Sequence, residues 1–201
     1  SILFAVMVCS GVANATLTII GTATYAGSEY NLIYEDNSVS GGLVWLDYSG
    51  GLRGHWQDKV NWASQLGASL TIKLFPGYTT SEDLTKAWRL PSAGTNPEYG
   101  FNQTKDEMGH LFYVSLKKSA GNPNLGDTMP FKNLSPEYYW TNMQSATHPN
   151  LAWYFRFSNG RLDEMGTAND FSAMAVRPAK VNFLRTQPDL RKDIAKPPIR
   201  K

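Results

Sequence analysis

The segment that most constrains the fold begins at Leu151 and reads LAWYFRFSNGRLDEM. Trp153 and Phe155 fall on one side of an extended chain and Tyr154 and Arg156 on the other, because successive side chains of a strand point to opposite faces. The Asn-Gly pair that follows is typical of a two-residue hairpin turn. The sequence therefore predicts an antiparallel hairpin with one buried, aromatic face.

Further strands are predicted near both ends of the chain. Residues 16–25, 29–36 and 42–48 are rich in β-branched and aromatic residues and are separated by Gly, Ser and Asn, which favours an antiparallel sheet. A last strand is predicted over residues 171–177. The predicted fold class is therefore α+β, with a mainly antiparallel sheet that is closed by the N- and C-terminal strands.

Two segments between these strands have the periodicity of an amphipathic helix. The first begins near Trp56 and repeats apolar residues at helical spacing, with Gly67 where a C-cap glycine is expected. In the second, Thr104 and Glu107 have the spacing of a capping box ahead of an apolar face. Residues 119–136 are dominated by turn-forming residues and predict a long surface loop.

Residues 1–15, SILFAVMVCSGVANA, match a secretory signal, because an apolar run is followed by small residues that end in an A-x-A pattern. The run is shorter than the roughly 20 residues that a bilayer-spanning helix needs. A buried N-terminal strand and a lipid-modified Cys9 are the alternatives. Removal of this segment would leave a mature chain without cysteine, which excludes disulfides and thiol chemistry. The predicted location is secreted or periplasmic.

The predicted domain covers residues 16–178, and residues 179–201 form a basic, proline-containing tail. The tail has seven Lys and Arg residues against two Asp, a net charge of +5, whereas the whole chain carries +2. The rest of the chain is therefore slightly acidic, at −3. We expect an extended arm that adds attraction to a polyanionic polymer, and the sequence has no motif for specific nucleic-acid recognition.

Arginine stands close to proline in two apolar stretches, AWRLP and AVRP. One interpretation makes Arg89 and Arg177 anion clamps, because a guanidinium presents a fork of donors. In the other, they bond loop carbonyls or a carboxylate while the neighbouring prolines fix the chain at strand ends. We favour the structural interpretation. The predicted structural residues, including two further core tryptophans, are Trp88, Arg89, Pro91, Trp140, Trp153, Arg177 and Pro178.

Seven landmarks occur in order along the chain: GLVWLDYSGG, VNWASQLGASLTIKLFPGYTT, WRLP, EMGHLFYV, YYWTNMQ, NLAWYFRFSNG and AMAVRP. Together they resemble the Lcl C-terminal domain family, a group of secreted bacterial domains, over residues 16–178. The resemblance implies a C-type-lectin-like fold, shared with formylglycine-generating enzymes, and an adhesin-like role. One family member looks like a binder of sulfated glycosaminoglycans, but this ligand does not carry over, because residues 16–178 are net acidic. Here YYWTNM replaces the family's more usual Trp-Ser-Ser/Gly-Thr. The sequence has no Gly-X-Y repeat, so a collagen-like trimer is not implied and the oligomeric state stays open.

Motifs of catalysis and metal binding are missing from the sequence, which has no G-x-S-x-G elbow, phosphate-binding glycine loop, S-x-x-K pair or H-E-x-x-H pattern. No cofactor is predicted. The acidic residues around the loop after the hairpin allow one metal interpretation, because calcium takes several oxygen ligands from one loop. The calcium candidates are Asp163, Glu164, Asn169 and Asp170.

Carbohydrate sites combine an aromatic face with amide, carboxylate and guanidinium groups, and one set of residues fits this description. The predicted ligand-binding rim consists of Asn142, Asn150, Tyr154, Arg156, Arg161 and Asp163. We therefore predict a secreted, non-catalytic, adhesin-like domain that recognises a glycan or another envelope or extracellular polymer. Two alternatives stay open: a structural or assembly protein of the cell envelope that binds a partner protein, and an unrecognised hydrolase.

Overall fold

The computed structural model of the protein describes residues 15–48 and 53–184. The predicted signal segment, apart from Ala15, and the part of the predicted tail beyond Leu184 lie outside the described residues. Within these ranges the chain is α+β, with mostly antiparallel strands and two short helices, which confirms the predicted class. None of the described helices is long and apolar enough to cross a bilayer.

The described strands form three sheets. The strands are β1 (Leu17–Tyr25), β2 (Ser28–Ser38), β3 (Gly41–Leu46), β4 (Thr71–Leu74), β5 (Tyr78–Thr80), β6 (Tyr138–Gln144), β7 (Leu151–Arg156), β8 (Arg161–Gly166), β9 (Ala175–Pro178) and β10 (Val181–Phe183). The largest sheet has the order β4-β1-β2-β3-β9, the second is β6-β7-β8, and β5 pairs with β10. All of these pairings are antiparallel.

The five-stranded sheet takes strands from both ends of the chain, as predicted, but it is open, so the predicted closure is wrong. β1 pairs with β2 on one side and with β4 on the other, which leaves it no free edge for the C-terminal strand. β9 therefore pairs with β3, at the opposite edge of the sheet from β4. The described fold continues past the predicted domain end at residue 178, because β10 pairs with β5.

The predicted hairpin forms from β7 and β8, but its turn is longer than predicted. Arg156 pairs with Arg161, so four residues connect the strands and a two-residue turn is wrong. Of these four, Gly160 has a positive φ of 84°. The ring of Tyr113 packs against Gly160 and its hydroxyl donates to the Gly160 carbonyl at 2.6 Å, so a contact distant in sequence shapes the turn.

The first helix, α1 (Trp56–Gln65), forms as predicted and runs into a 3₁₀ turn over Leu66–Ser69. Gly67 lies inside this turn and is not among the residues with positive φ, so its predicted role as a C-cap is wrong. A Cβ at this position would lie 2.0 Å from the carbonyl oxygen of Thr85. Glycine is required here because another segment of backbone packs against it.

The second helix, α2 (Glu107–His110), continues as a π-helical turn over Leu111–Ser115. Its N-cap is Asp106, whose side chain accepts a hydrogen bond from the backbone N–H of Gly109 at 2.6 Å. The predicted capping box of Thr104 and Glu107 is wrong, because the Glu107 carboxylate is bound by another part of the chain, as described below.

Both faces of the five-stranded sheet are covered by apolar side chains. Trp45 on β3 faces a core that also contains Phe155 from β7 and Phe112 from the π-helical turn. Its neighbours Val44 and Leu46 face a second core on the opposite side of the sheet. Alternation along one strand thus divides its side chains between two cores.

Residues 119–136 form no helix or strand, as predicted, but they are not simply a surface loop. Phe131 is buried and its ring lies 6.3 Å from that of Trp45. The carboxylate of Asp47, at the end of β3, accepts hydrogen bonds from the backbone N–H groups of Lys132 at 2.9 Å and Asn133 at 3.0 Å. A buried acceptor and a buried ring therefore anchor this loop to the sheet.

Candidate functional site

Arg89 takes part in an ion pair with a buried carboxylate. Its Nη1 and Nη2 atoms each lie 2.7 Å from an oxygen of Glu107, which is fully buried. Glu107 also accepts hydrogen bonds from the backbone N–H of Ser92 at 2.7 Å and from Ser40 Oγ at 2.5 Å. Protein donors therefore occupy both carboxylate oxygens. The ion pair closes the loop of residues 90–106 at its base.

Arg177 binds backbone carbonyls. Its Nη1 donates to the carbonyl oxygens of Asp83 and Lys86, and burial lowers the pKa of its guanidinium. Trp88 packs next to this segment with only 2% of its surface exposed, and its Nε1 donates to the carbonyl of Leu84 at 2.7 Å. Both arginines thus hold segments of loop, and neither presents a free guanidinium fork to a ligand.

The other predicted structural residues lie in the core, except for Pro178. Trp140 is fully buried and donates from Nε1 to the carbonyl of Gly54 at 2.9 Å, and Trp153 is almost fully buried. Of the two prolines, Pro91 is buried and Pro178 is exposed at the end of β9.

Four of the six predicted rim residues lie together on one face of the β7–β8 hairpin. Tyr154 is opposite Asp163, and Arg156 is opposite Arg161. The guanidinium of Arg156 lies 5.0 Å from the ring centroid of Tyr138, and its Nη2 donates to the Tyr154 hydroxyl at 2.6 Å. Arg161 Nε lies 3.0 Å from a carboxylate oxygen of Asp163, although without the alignment of a hydrogen bond.

The polar groups of this cluster are mostly bound to one another. Tyr154 is fully buried, so it offers no aromatic face to a sugar. Asp163 is paired with Arg161 and lies 3.8 Å from Arg156, so its carboxylate is compensated, and the two arginines and one aspartate keep a net charge of +1. The other two predicted rim residues, Asn142 and Asn150, are exposed, and Asn150 lies beyond the opposite end of β7 from Arg156. The structure therefore does not gather the six residues into one site.

The four calcium candidates do not converge. Asp163 and Glu164 are neighbours on β8, so their carboxylates point to opposite faces of the sheet. Asn169 donates its side-chain amide to the carbonyl of Gly166, and Asp170 lies 3.8 Å from His55. Within residues 15–48 and 53–184, no group of three or more His, Cys, Asp and Glu side chains could hold a metal ion.

A buried polar cluster joins β2 to α2. Glu35 is fully buried, and its Oε1 lies 2.9 Å from Nδ1 of His110 and also accepts from Ser115 Oγ. Its Oε2 accepts from Trp45 Nε1 at 2.9 Å. A hydrolytic triad places histidine between serine and the carboxylate. Here the carboxylate lies between the other two, so the cluster serves to attach the helix to the sheet.

The loop closed by the ion pair lines a partly enclosed cleft of about 420 Å³, which we call the 93–106 cleft. Its lining residues are Ala93, Gly94, Thr95, Asn96, Pro97, Glu98, Asn102, Gln103, Thr104, Lys105, Asp106 and Leu162. Gly100 and Leu162 exchange two backbone hydrogen bonds of 2.9 Å, which attach the loop to the edge of β8. The cleft is thus held at its base by Arg89 and along one side by β8.

Polar side chains in this cleft are available to a ligand. Asn96, Glu98 and Asn102 are exposed, and their side chains make no hydrogen bond or ion pair to any residue that the structure describes. Asn102 has a φ of +62°, a conformation that asparagine tolerates better than most residues. Unpaired amides of this kind offer both donors and acceptors.

Asp106 adds a buried carboxyl group to the cleft wall. Its Oδ1 caps α2, whereas its Oδ2 has no hydrogen-bond partner among the described residues. Burial is the main cause that raises its pKa to about 8, with the adjacent Glu107 adding to the effect. At neutral pH the group is therefore largely uncharged, and the charges of Glu98 and Lys105 offset each other.

Two exposed aromatic residues belong to the same loop. Tyr99 is 58% exposed, with its ring 4.8 Å from that of Trp153, and Phe101 is 40% exposed. The Tyr99 hydroxyl donates to Glu164 at 2.5 Å, and this bond raises the pKa of Tyr99 to about 12. The loop therefore combines aromatic surface with free amides.

No prediction from the sequence placed a site at this cleft. Its segment, GTNPEYGFNQT, concentrates Asn, Gln, Tyr and Phe around two glycines, and this composition was the available signal. Residues 81–106 contain no helix or strand, so no periodicity marks the segment. In comparisons with known proteins, no protein-family model, no curated protein and no solved structure matches the chain.

Proposed function

We propose that the protein is a non-catalytic binding domain that recognises a glycan in the 93–106 cleft. The observation that carries this proposal is the set of free side chains of Asn96, Glu98 and Asn102 in a cleft whose base is fixed by a buried ion pair. Sugar hydroxyls both donate and accept hydrogen bonds, as amides do, so the two are complementary. A preformed site loses less entropy on binding.

The electrostatics of the cleft favour a neutral glycan over a sulfated one. Asp106 is largely uncharged at neutral pH, and the lining otherwise contains one carboxylate, Glu98, and one ammonium, Lys105. A polyanion would need several cations in one place. Tyr99 and Phe101 do not line the cleft, but they expose apolar surface on the same loop, on which a sugar ring that extends beyond the cleft can stack.

A binding function is favoured over hydrolysis because the cleft does not present two accessible carboxyl groups. A glycosidase needs two carboxyl groups that both reach the scissile bond. Asp106 has the raised pKa of a general acid, but only 2% of its surface is exposed and one oxygen caps α2. We therefore infer a structural role for Asp106.

We further propose that the protein is exported and adhesin-like. We also propose that it is related to the Lcl C-terminal domains and shares their lectin-like fold. These proposals rest on the A-x-A pattern at residues 13–15 and on the seven landmarks in the sequence. Recognition of a partner protein at the cell envelope is the alternative, and an array on which the full chain binds no glycan would refute the proposal and favour this alternative.

The test is a glycan array that carries neutral and sulfated oligosaccharides, probed with the full chain at low and at high salt. The double variant Asn96→Ala/Asn102→Ala should lose about tenfold or more in affinity, because each lost hydrogen bond contributes about 0.5–1.5 kcal/mol. Asn150→Ala is the matched control, since this exposed asparagine lies outside the cleft. Equal binding by both variants, or binding that disappears with added salt alone, would refute the proposal.

A further inference from the structure

One aromatic side chain beside the 93–106 cleft is exposed and yet fixed in position. Tyr99 is 58% exposed and lies outside the cleft lining, although its neighbour Glu98 belongs to that lining. Its ring packs on Trp153, with the centroids 4.8 Å apart and an interplanar angle of 37°, and its hydroxyl donates to Glu164 at 2.5 Å. An exposed ring that is already held at two points loses little rotamer freedom when it binds a ligand.

Tyr99 and the cleft are attached to the same strand. Leu162 lines the cleft, and Glu164, which holds Tyr99, is two residues further along β8. Side chains two residues apart in a strand point to the same face of the sheet, with their Cα atoms about 6–7 Å apart. The fold therefore places the cleft and the exposed ring side by side, along the direction of β8.

The charges around these two features favour a neutral ligand. The cleft lining offers Glu98 and Lys105, and Glu164 adds a carboxylate at Tyr99. Nucleobases also stack on aromatic rings, but nucleic-acid binding depends on several cations that neutralise phosphates. A hexopyranose with equatorial hydroxyls has C–H bonds on a flat face and hydroxyls around its rim, which suits an aromatic face next to free amides.

We propose that Tyr99 forms a second subsite, and that the protein binds a neutral oligosaccharide of two or more β-linked hexopyranose units with equatorial hydroxyls. This inference rests on the proposed glycan-binding function. One unit binds the amides of Asn96 and Asn102 in the cleft, and the next unit stacks on Tyr99. Because Tyr99 lies outside the cleft lining, the stacked ring is distinct from the ring in the cleft. Equatorial linkages give an extended chain, which suits two subsites arranged along one strand.

The test is an NMR titration of the full chain with two series of probes, glucose to cellotetraose and N-acetylglucosamine to chitotetraose. In at least one series, the tetrasaccharide should bind about fivefold more tightly than the monosaccharide. Tyr99→Ala should bring this ratio close to one and abolish the ring-current shift of the sugar C–H protons, whereas Tyr99→Phe keeps the ring and should retain both. Asn96→Ala/Asn102→Ala should weaken the binding of both sugars and leave their ratio near that of the wild type.

The matched control is Phe183→Ala. Phe183 is also 58% exposed and its ring lies 5.1 Å from that of Tyr78, but it belongs to β10, in a different sheet from β8. Its ratio should equal that of the wild type. The inference is overturned if neither series binds while the array shows other glycans, if the wild-type ratio is close to one, or if Tyr99→Ala and Phe183→Ala give the same ratio. Each of these results leaves binding in the cleft intact, whereas an array without any bound glycan removes the proposed function itself.

Discussion

The substitution Arg89→Ala tests whether the buried ion pair closes the cleft-forming loop. Glu107 is fully buried and would keep only Ser92 N–H and Ser40 Oγ as donors for its charge. Removing one partner of a buried ion pair costs about 3–5 kcal/mol. The Arg89 side chain is 29% exposed, so water can partly replace it and we expect the lower end, about 3 kcal/mol. Natural domains are stable by only about 5–15 kcal/mol, so the loss is large.

Equilibrium unfolding in urea, followed by tryptophan fluorescence, measures this loss. With a slope of about 2 kcal/mol per molar urea, the midpoint of Arg89→Ala should fall by about 1.5 M. Lys86→Ala is the control, because Lys86 pairs with Asp83 at 3.3 Å on the surface and should cost less than about 0.5 kcal/mol. The double variant Arg89→Met/Glu107→Leu should be less destabilised than Arg89→Ala. A midpoint for Arg89→Ala no lower than that of Lys86→Ala would refute the reasoning.

Two further substitutions test single features of the fold. Asp106 keeps its proton in the folded state up to about pH 8 but loses it near the ordinary value of 3.8 when unfolded, so stability should fall as the pH rises between these values. Asp106→Asn should remove this contribution, and thermal unfolding of both proteins between about pH 5 and 8 measures it; parallel profiles would contradict the assignment. Gly67→Ala should cost about 1–3 kcal/mol, because its Cβ would lie 2.0 Å from a carbonyl oxygen of Thr85. Gly54→Ala is the control, since its Cβ would meet only the flexible Lys59 side chain at 3.0 Å; equal losses in urea would exclude steric overlap at Gly67 as the cause.

Elements with a strong local pattern were predicted correctly from the sequence. The alternation around Trp153 and Tyr154 gave the two faces of β7, and helical spacing after Trp56 gave α1, because side-chain direction follows directly from the backbone repeat. The capping signal ahead of α2 was misread. Thr104 and Asp106 both have side chains that suit an N-cap, but Asp106 takes this position and accepts from the N–H of Gly109, whereas Arg89 binds Glu107, the predicted capping-box partner.

The candidate site could not be predicted, because no local repeat marks it. The 93–106 cleft is built from a segment without helix or strand, and its shape depends on contacts with β8 and with Arg89. The predicted rim on the hairpin was assembled from suitable residue types, but the structure pairs those residues with one another. Residue type alone does not reveal whether a polar side chain is already satisfied inside the protein.

The sequence by itself determined the strands with a clear alternation, such as β1, β2, β3 and β7, and the helix α1, because backbone sterics act over a few residues. It did not predict β5 or β10, or that Tyr154 is buried on the second face of β7. Only the tertiary structure decided that β9 pairs with β3, that Gly67 accommodates a neighbouring carbonyl, and that Arg89 and Glu107 close a loop around a polar cleft. These features depend on groups that are distant in sequence, and their energies exist only once packing has brought the groups together and removed water from between them.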